Sequence, residues 1–116
     1  MENMYMSQWY EERILKFDAY GNMFRKIRVG AEICGHTFVD GMIYVLRGRE
    51  NKNDPNKSEE WRIARLDPKE ENPQVEDLAA VPFAARSLTF DGEYFWSNHR
   101  VANETISFSL PSNHRL

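Results

Sequence analysis

Two Asp-Gly pairs, Asp40-Gly41 and Asp91-Gly92, each stand between runs of β-forming residues. The first is flanked by Phe38-Val39 and Met42-Ile43-Tyr44-Val45, the second by Leu88-Thr89-Phe90 and Glu93-Tyr94-Phe95-Trp96. Asp-Gly accepts the positive φ angles of a type I′ turn, whose twist matches the strands it joins, so a tight hairpin is expected at both places. The pairs lie 51 residues apart, and a hairpin recurring at such a period predicts a repeat architecture.

The similarity extends upstream. Arg13-Ile14-Leu15-Lys16-Phe17-Asp18 parallels Arg62-Ile63-Ala64-Arg65-Leu66-Asp67, with the terminal aspartates 49 residues apart. Alternation with a period of two marks a half-buried strand. A turn follows each copy, Asp18-Ala19-Tyr20-Gly21-Asn22 and Asp67-Pro68-Lys69-Glu70, in which Asp bonds the backbone ahead of it and Pro presets φ. A further strand-like stretch comes next, 23–29 in one copy and 74–81 in the other. The repeats therefore span roughly 13–47 and 62–98. Strands are expected at about 4–9, 13–17, 23–29, 36–40, 42–47, 61–66, 74–81, 87–91, 93–97 and 104–110. The polar segment Gly48 to Glu60, with Asp54-Pro55, reads as an exposed, solvated loop. Two stretches also carry helical signals, and helices at 2–15 and 74–85 in a non-repeating α+β domain form the competing fold.

Four short antiparallel strands recurring about every 50 residues resemble the blade of a β-propeller. The segment Ser87-Leu88-Thr89-Phe90-Asp91-Gly92 with Glu93-Tyr94-Phe95-Trp96-Ser97, and the Arg62 to Asp67 element, are similar to blades of the NHL-like, TolB-like and glutamine-cyclotransferase-like propellers. The resemblance implies an all-β fold: a single propeller-like domain over 1–116, with about two to two and a half four-stranded blades. The ten strands make incomplete blades at both ends, so completion into a ring by a homo-oligomer, or a longer parent chain, is expected.

Composition bounds the function. With 116 residues and 41% apolar content, one modest core is expected. A formal charge of −3 argues against nucleic-acid binding by phosphate neutralisation. No apolar run is long enough to cross a bilayer, and MENMYMSQWYEER lacks the basic start and apolar core of a signal peptide, so a cytoplasmic, non-membrane protein is expected. The single cysteine, Cys34, excludes an internal disulfide. Trp61, Trp96, Tyr44, Tyr94, Phe38 and Phe90 recur in equivalent places and read as core aromatics.

No catalytic set stands out. Cys34 and His36, two apart on a strand, share a face as a nucleophile and base would, but no third orienting group accompanies them. His36 and His99 with Glu104 or Asp40 would make a metal site only if the fold gathered them, whereas His114 sits in a tail; no metal and no cofactor is expected. Asn103-Glu104-Thr105 matches a glycosylation sequon. The propeller resemblance implies ligand binding at the mouth of a central channel, where Cys34-Gly35-His36 and Ala85-Arg86-Ser87 would map. His36, Arg86 and Ser87 are accordingly the candidate ligand-binding residues. Arg86 has a plainer reading as the partner of a neighbouring carboxylate. The expected function is a non-catalytic binding or scaffold module engaging a small-molecule or protein ligand. The alternative is a propeller-type hydrolase or lyase with an axial His/Arg site.

Overall fold

The computed structural model describes residues 4–49 and 59–110. Ten strands follow one another: β1 (Met4–Gln8), β2 (Arg13–Phe17), β3 (Met23–Arg28), β4 (Glu32–Val39), β5 (Met42–Arg49), β6 (Glu60–Leu66), β7 (Glu76–Val81), β8 (Thr89–Phe90), β9 (Phe95–His99) and β10 (Glu104–Phe108). They form three separate antiparallel sheets, ordered β1-β2-β3, β4-β5-β6-β7 and β8-β9-β10. Every pairing joins strands adjacent in sequence, so each sheet is a meander built from local turns.

The alternation of side chains places the sheets. In the four-stranded sheet, Ile43 pairs with Leu66 and Val45 with Ala64. This face packs against Ile14 and Ile27 of the first sheet, with Val29 and Ile33 completing the cluster. Leu46 pairs with Ile63 and points to the opposite face. There Leu46, Ile63, Trp61 and Val81 meet Ala85, Leu88 and Phe95 of the third sheet and its lead-in. The middle sheet is therefore buried on both faces, and each outer sheet on one. That explains why Met42–Arg49 reads as a nearly unbroken apolar run from Met42 to Leu46 rather than a strict alternation.

The turns depend on three aspartates. Asp18 Oδ1 accepts the backbone N–H groups of Tyr20 and Asn22, both at 2.9 Å. Asp67 Oδ1 accepts from Lys69 N at 2.9 Å. Asp91 Oδ1 accepts from Glu93 N and Tyr94 N, both at 2.8 Å, while its Oδ2 accepts from the Trp96 indole at 2.7 Å. The backbone bonds from Asn22, Lys69 and Tyr94 are the leading cause that holds these three carboxyls below the ordinary aspartate value. The two Asp-Gly turns differ, however. Val39 pairs with Met42 around a two-residue loop with positive φ at both Asp40 and Gly41, as a type I′ turn requires. Phe90 pairs with Phe95 around four residues, 91–94, and in that loop only Gly92 has positive φ. The expected tight hairpin is present at the first site and replaced by an Asx-stabilised longer loop at the second.

The propeller expectation is overturned. The strands make three discrete sheets of three, four and three members that are not closed or curled into a ring. The shared Asp-Gly and Arg-Ile signatures encode strand–turn–strand units, which are local; ring closure is a relation between distant sheets that they do not encode. The all-β expectation holds, and no helix forms at 4–15 or 74–85. With the ring go the blade count, the repeat-propeller description and the oligomeric completion argued from it. The aromatic core reading also needs correction. Trp61 is buried, but Phe38, Tyr94 and Trp96 are exposed. Most of the loop expected at 48–60 lies outside the described residues, as does His114. No helix among the described residues is long and apolar enough to cross a membrane.

Strand β4 begins at Glu32, earlier than its pattern suggests, because Gly35 interrupts the apolar run without ending the strand. A bulge between Ile33 and Gly35 brings the β4 backbone against the segment leading into β8. A Cβ on Gly35 would lie 2.7 Å from Leu88 N and 3.2 Å from the Ser87 carbonyl carbon. Both obstacles are backbone, so Gly35→Ala forces the second and third sheets apart. The expected loss is about 1–3 kcal/mol in urea denaturation, the range for overpacking a fitted contact; an unchanged midpoint would show that the two backbones part freely.

Candidate functional site

Arg86 and Ser87 lie in the segment that carries the chain from β7 to β8, and His36 lies in the middle of β4. The structure places them in two different environments.

Arg86 grips Glu59, whose side chain is fully buried. The pair is bidentate, with Arg86 NH1 at 2.8 Å from Oε1 and NH2 at 2.9 Å from Oε2. The Trp61 indole donates to Oε1 at 2.8 Å and Arg100 NH1 to Oε2 at 3.2 Å. Arg86 also lies over the rings of Trp9 and Trp61, 5.7 and 5.8 Å from their centroids. Trp9 meets Trp61 edge-on at 6.0 Å and donates its indole N–H to Glu32 at 3.2 Å. A buried carboxylate is tolerated only when opposite charge and donors satisfy it, and here two guanidinium groups and an indole do so. The contribution of Arg86 is structural tethering of β6, the β7–β8 segment and the β1–β2 turn.

His36 is half-buried, with Ser7 Oγ against its Nδ1 and the Phe38 ring edge-on at 6.4 Å. Burial pushes its pKa below the ordinary histidine value. Cys34 Sγ contacts the Ala85 carbonyl oxygen at 3.2 Å. Beside it, Gly35 meets the Ser87–Leu88 backbone. The two expected triplets, Cys34-Gly35-His36 and Ala85-Arg86-Ser87, are thus neighbours through their backbones. Their functional groups diverge: Arg86 turns to Glu59 and His36 to Ser7. The channel-mouth binding module and its alternative, a propeller-type hydrolase or lyase with an axial His/Arg site, both fail with the ring that they required. His99 is stacked on Phe83 at 4.9 Å, and among the described residues no three of His, Cys, Asp and Glu converge as a metal ion needs.

The surface most suited to recognition is elsewhere, on the outer face of the first sheet. Pairing puts Met4, Phe17 and Met23 in one row, Met6, Leu15 and Lys26 in the next, and Gln8, Arg13 and Arg28 in the third. The intervening rows, with Ser7, Ile14 and Ile27, face the middle sheet. Met4, Met6 and Met23 are 56, 55 and 44% exposed. Lys26 and Arg28 are exposed and make no ion pair among the described residues, and these three rows contain no acidic residue. A contiguous apolar strip bordered by charge marks an interaction surface more often than a lone exposed side chain does. The outer face of the third sheet differs: Thr89, Trp96 and Ser107 form one row, Asn98 and Thr105 the next. Sequence reasoning missed both Glu59, assigned to a solvated loop, and the Met4/Met6/Met23 strip. The alternation in 4–8 carried a signal for the latter, because both of its parities are partly apolar.

No family model, curated protein or solved structure matches the chain.

Glu59→Gln keeps the shape but leaves Arg86 and Arg100 around an uncharged amide. Removing one member of a buried ion pair typically costs about 3–5 kcal/mol, and urea denaturation should show a loss in that range. A loss under about 1 kcal/mol would mean the cluster does not tie the sheets. His36 gives a pH signature. Its folded pKa lies below its unfolded value of 6.5, so its contribution is fully present above 6.5 and is lost as pH falls below it. Stability of the native chain should therefore decline from pH 6.5 downward, and His36→Gln should flatten that part of the profile; identical profiles would remove the effect of burial.

Proposed function

We propose that the chain is a protein-docking module whose recognition surface is the outer face of β1-β2-β3, and that its occupant is an acidic, partly apolar segment of another protein. The observation that carries this reading is the strip of Met4, Met6, Phe17 and Met23 running beside Lys26, Arg28 and Arg13 with no acid among them. Methionine side chains are flexible and polarizable and adapt to differently shaped apolar partners. The cations supply register and speed of encounter for a segment of opposite sign. They also disfavour a dimer formed by the same face of two copies, since each would bring three cations against three. The expected homo-oligomer has no support from this face.

A synthetic peptide of alternating Glu and Leu, titrated into isotope-labelled protein and followed by NMR, tests the reading. Amide shifts should concentrate on β1 to β3, and a peptide of alternating Lys and Leu should produce none. Lys26→Glu and Met6→Glu, both at exposed positions, should weaken the interaction at least about tenfold, or ~1.4 kcal/mol, without lowering the melting temperature. Equal shifts with both peptides would overturn the proposal. So would binding only to anionic lipid vesicles, or a dimer in light scattering that Met6→Glu abolishes.

A further inference from the structure

We infer that a second, independent site at the far end of the middle sheet binds phosphate monoesters. A cleft of about 290 Å³ lies between the β3–β4 connection and the ends of β5, β6 and β7. Gly30, Arg47, Arg49, Glu60, Arg62 and Asp77 line it. Register fixes how its charges meet. Arg47 and Arg62 are direct cross-strand partners, as are Arg49 and Glu60. Two like charges set opposite each other destabilise a sheet unless something neutralises them.

Among the described residues only one of the pair is neutralised. Arg47 Nε and NH2 both lie 3.0 Å from Asp77 Oδ1, and its NH1 donates to the Val29 carbonyl at 2.6 Å. That guanidinium is locked in place. Arg62 and Arg49 are exposed and make no ion pair among the described residues. With Arg47 and Asp77 cancelling, Arg49 and Arg62 against Glu60 leave one excess positive charge in the cleft. Guanidinium forks pair bidentately with tetrahedral and planar oxyanions, and a doubly charged phosphate monoester gains most from two of them.

The backbone keeps the cleft open. Gly48 lies between Arg47 and Arg49, and a Cβ there would sit 1.8 Å from the Glu60 carbonyl oxygen. The absence of that carbon lets β5 press against β6 and holds the arginines at one level. On the opposing wall, Gly30 adopts φ +84° and presents no side chain toward Arg47, whose NH1 would be 4.0 Å from a Cβ. That wall of the cleft is therefore bare backbone beside a fixed guanidinium.

Inorganic phosphate, phenyl phosphate and a phosphoserine peptide serve as probes, each titrated at constant ionic strength against chloride and followed by NMR. Saturable shifts at Gly30, Ala31 and Gly48 are expected with all three. Arg62→Ala and Arg49→Ala should weaken the interaction by at least about tenfold, and Arg62→Lys less. A response to the small phosphates alone identifies a free metabolite as the natural source, and a tighter response to the peptide identifies a phosphorylated protein. Shifts that do not saturate, that chloride reproduces, or that persist unchanged in Arg62→Ala overturn the inference. The readout is separate from the β1–β3 face, so either proposal can fail without the other.

Discussion

One buried carboxylate holds the parts of this molecule together. Glu59 immediately precedes β6, and beside Trp61, two residues on, its partners come from distant segments: Arg86 from the β7–β8 segment and Arg100 from just beyond β9. Trp9, from the β1–β2 turn, lies against Arg86 and Trp61. Apolar packing between sheets is not directional, and three meanders could slide over one another at little cost in buried area. A bidentate ion pair fixes both distance and orientation. Its energy is not where its value lies, because the desolvation of Glu59 offsets much of the attraction. Its effect is to define a single arrangement of three sheets that share no strand.

That arrangement makes the sheets unequal. The middle sheet buries Ile43, Val45, Ala64 and Leu66 on one side and Leu46, Trp61 and Ile63 on the other. The outer sheets each keep a free face, and these faces have diverged. The third sheet shows water Thr89, Asn98, Thr105 and Ser107 around a single exposed aromatic, Trp96, whose indole is bonded to Asp91. The first shows Met4, Met6 and Met23. Leaving apolar side chains exposed forgoes the stabilisation their burial would bring. The divergence is what a docking function would demand of one end of the stack and not the other.

How much of this was legible in the sequence differs from residue to residue. The period-two pattern of Arg13 to Phe17 located β2 closely, because a half-buried strand writes its burial into its alternation, and the parallel run Arg62 to Leu66 located β6 although that strand is buried on both faces. Asp40-Gly41 gave its turn type, because left-handed φ at two successive positions leaves few choices of residue. Asp91-Gly92 did not, since its aspartate spends its carboxylate on Glu93, Tyr94 and Trp96 and stabilises a longer loop that the dipeptide alone cannot distinguish. Ring closure was beyond reach for a different reason: turns and alternation are local, and nothing local says whether sheets stack in a line or close on themselves. Arg86 is held by Glu59, and that pairing was hidden because a glutamate at the end of a polar run carries no mark of burial.

The formal charge of −3 shows the same limit in electrostatic form. It counts every acid as if it were free to act at the surface. Here Asp18, Asp67 and Asp91 accept backbone N–H groups in turns, Asp77 is bound to Arg47, and Glu59 is enclosed by two arginines. Asp77 and Glu59 are each opposed by arginine charge, whereas Asp18, Asp67 and Asp91 keep their charge but hold it in turns away from those arginines. Lys26, Arg28, Arg49 and Arg62 stay exposed with no such commitment among the described residues. A chain that is acidic in sum can therefore present cationic surfaces wherever its acids have been used to build the fold. Partners recognise the local field rather than the total, because charges farther away than roughly 10 Å are screened at ordinary salt.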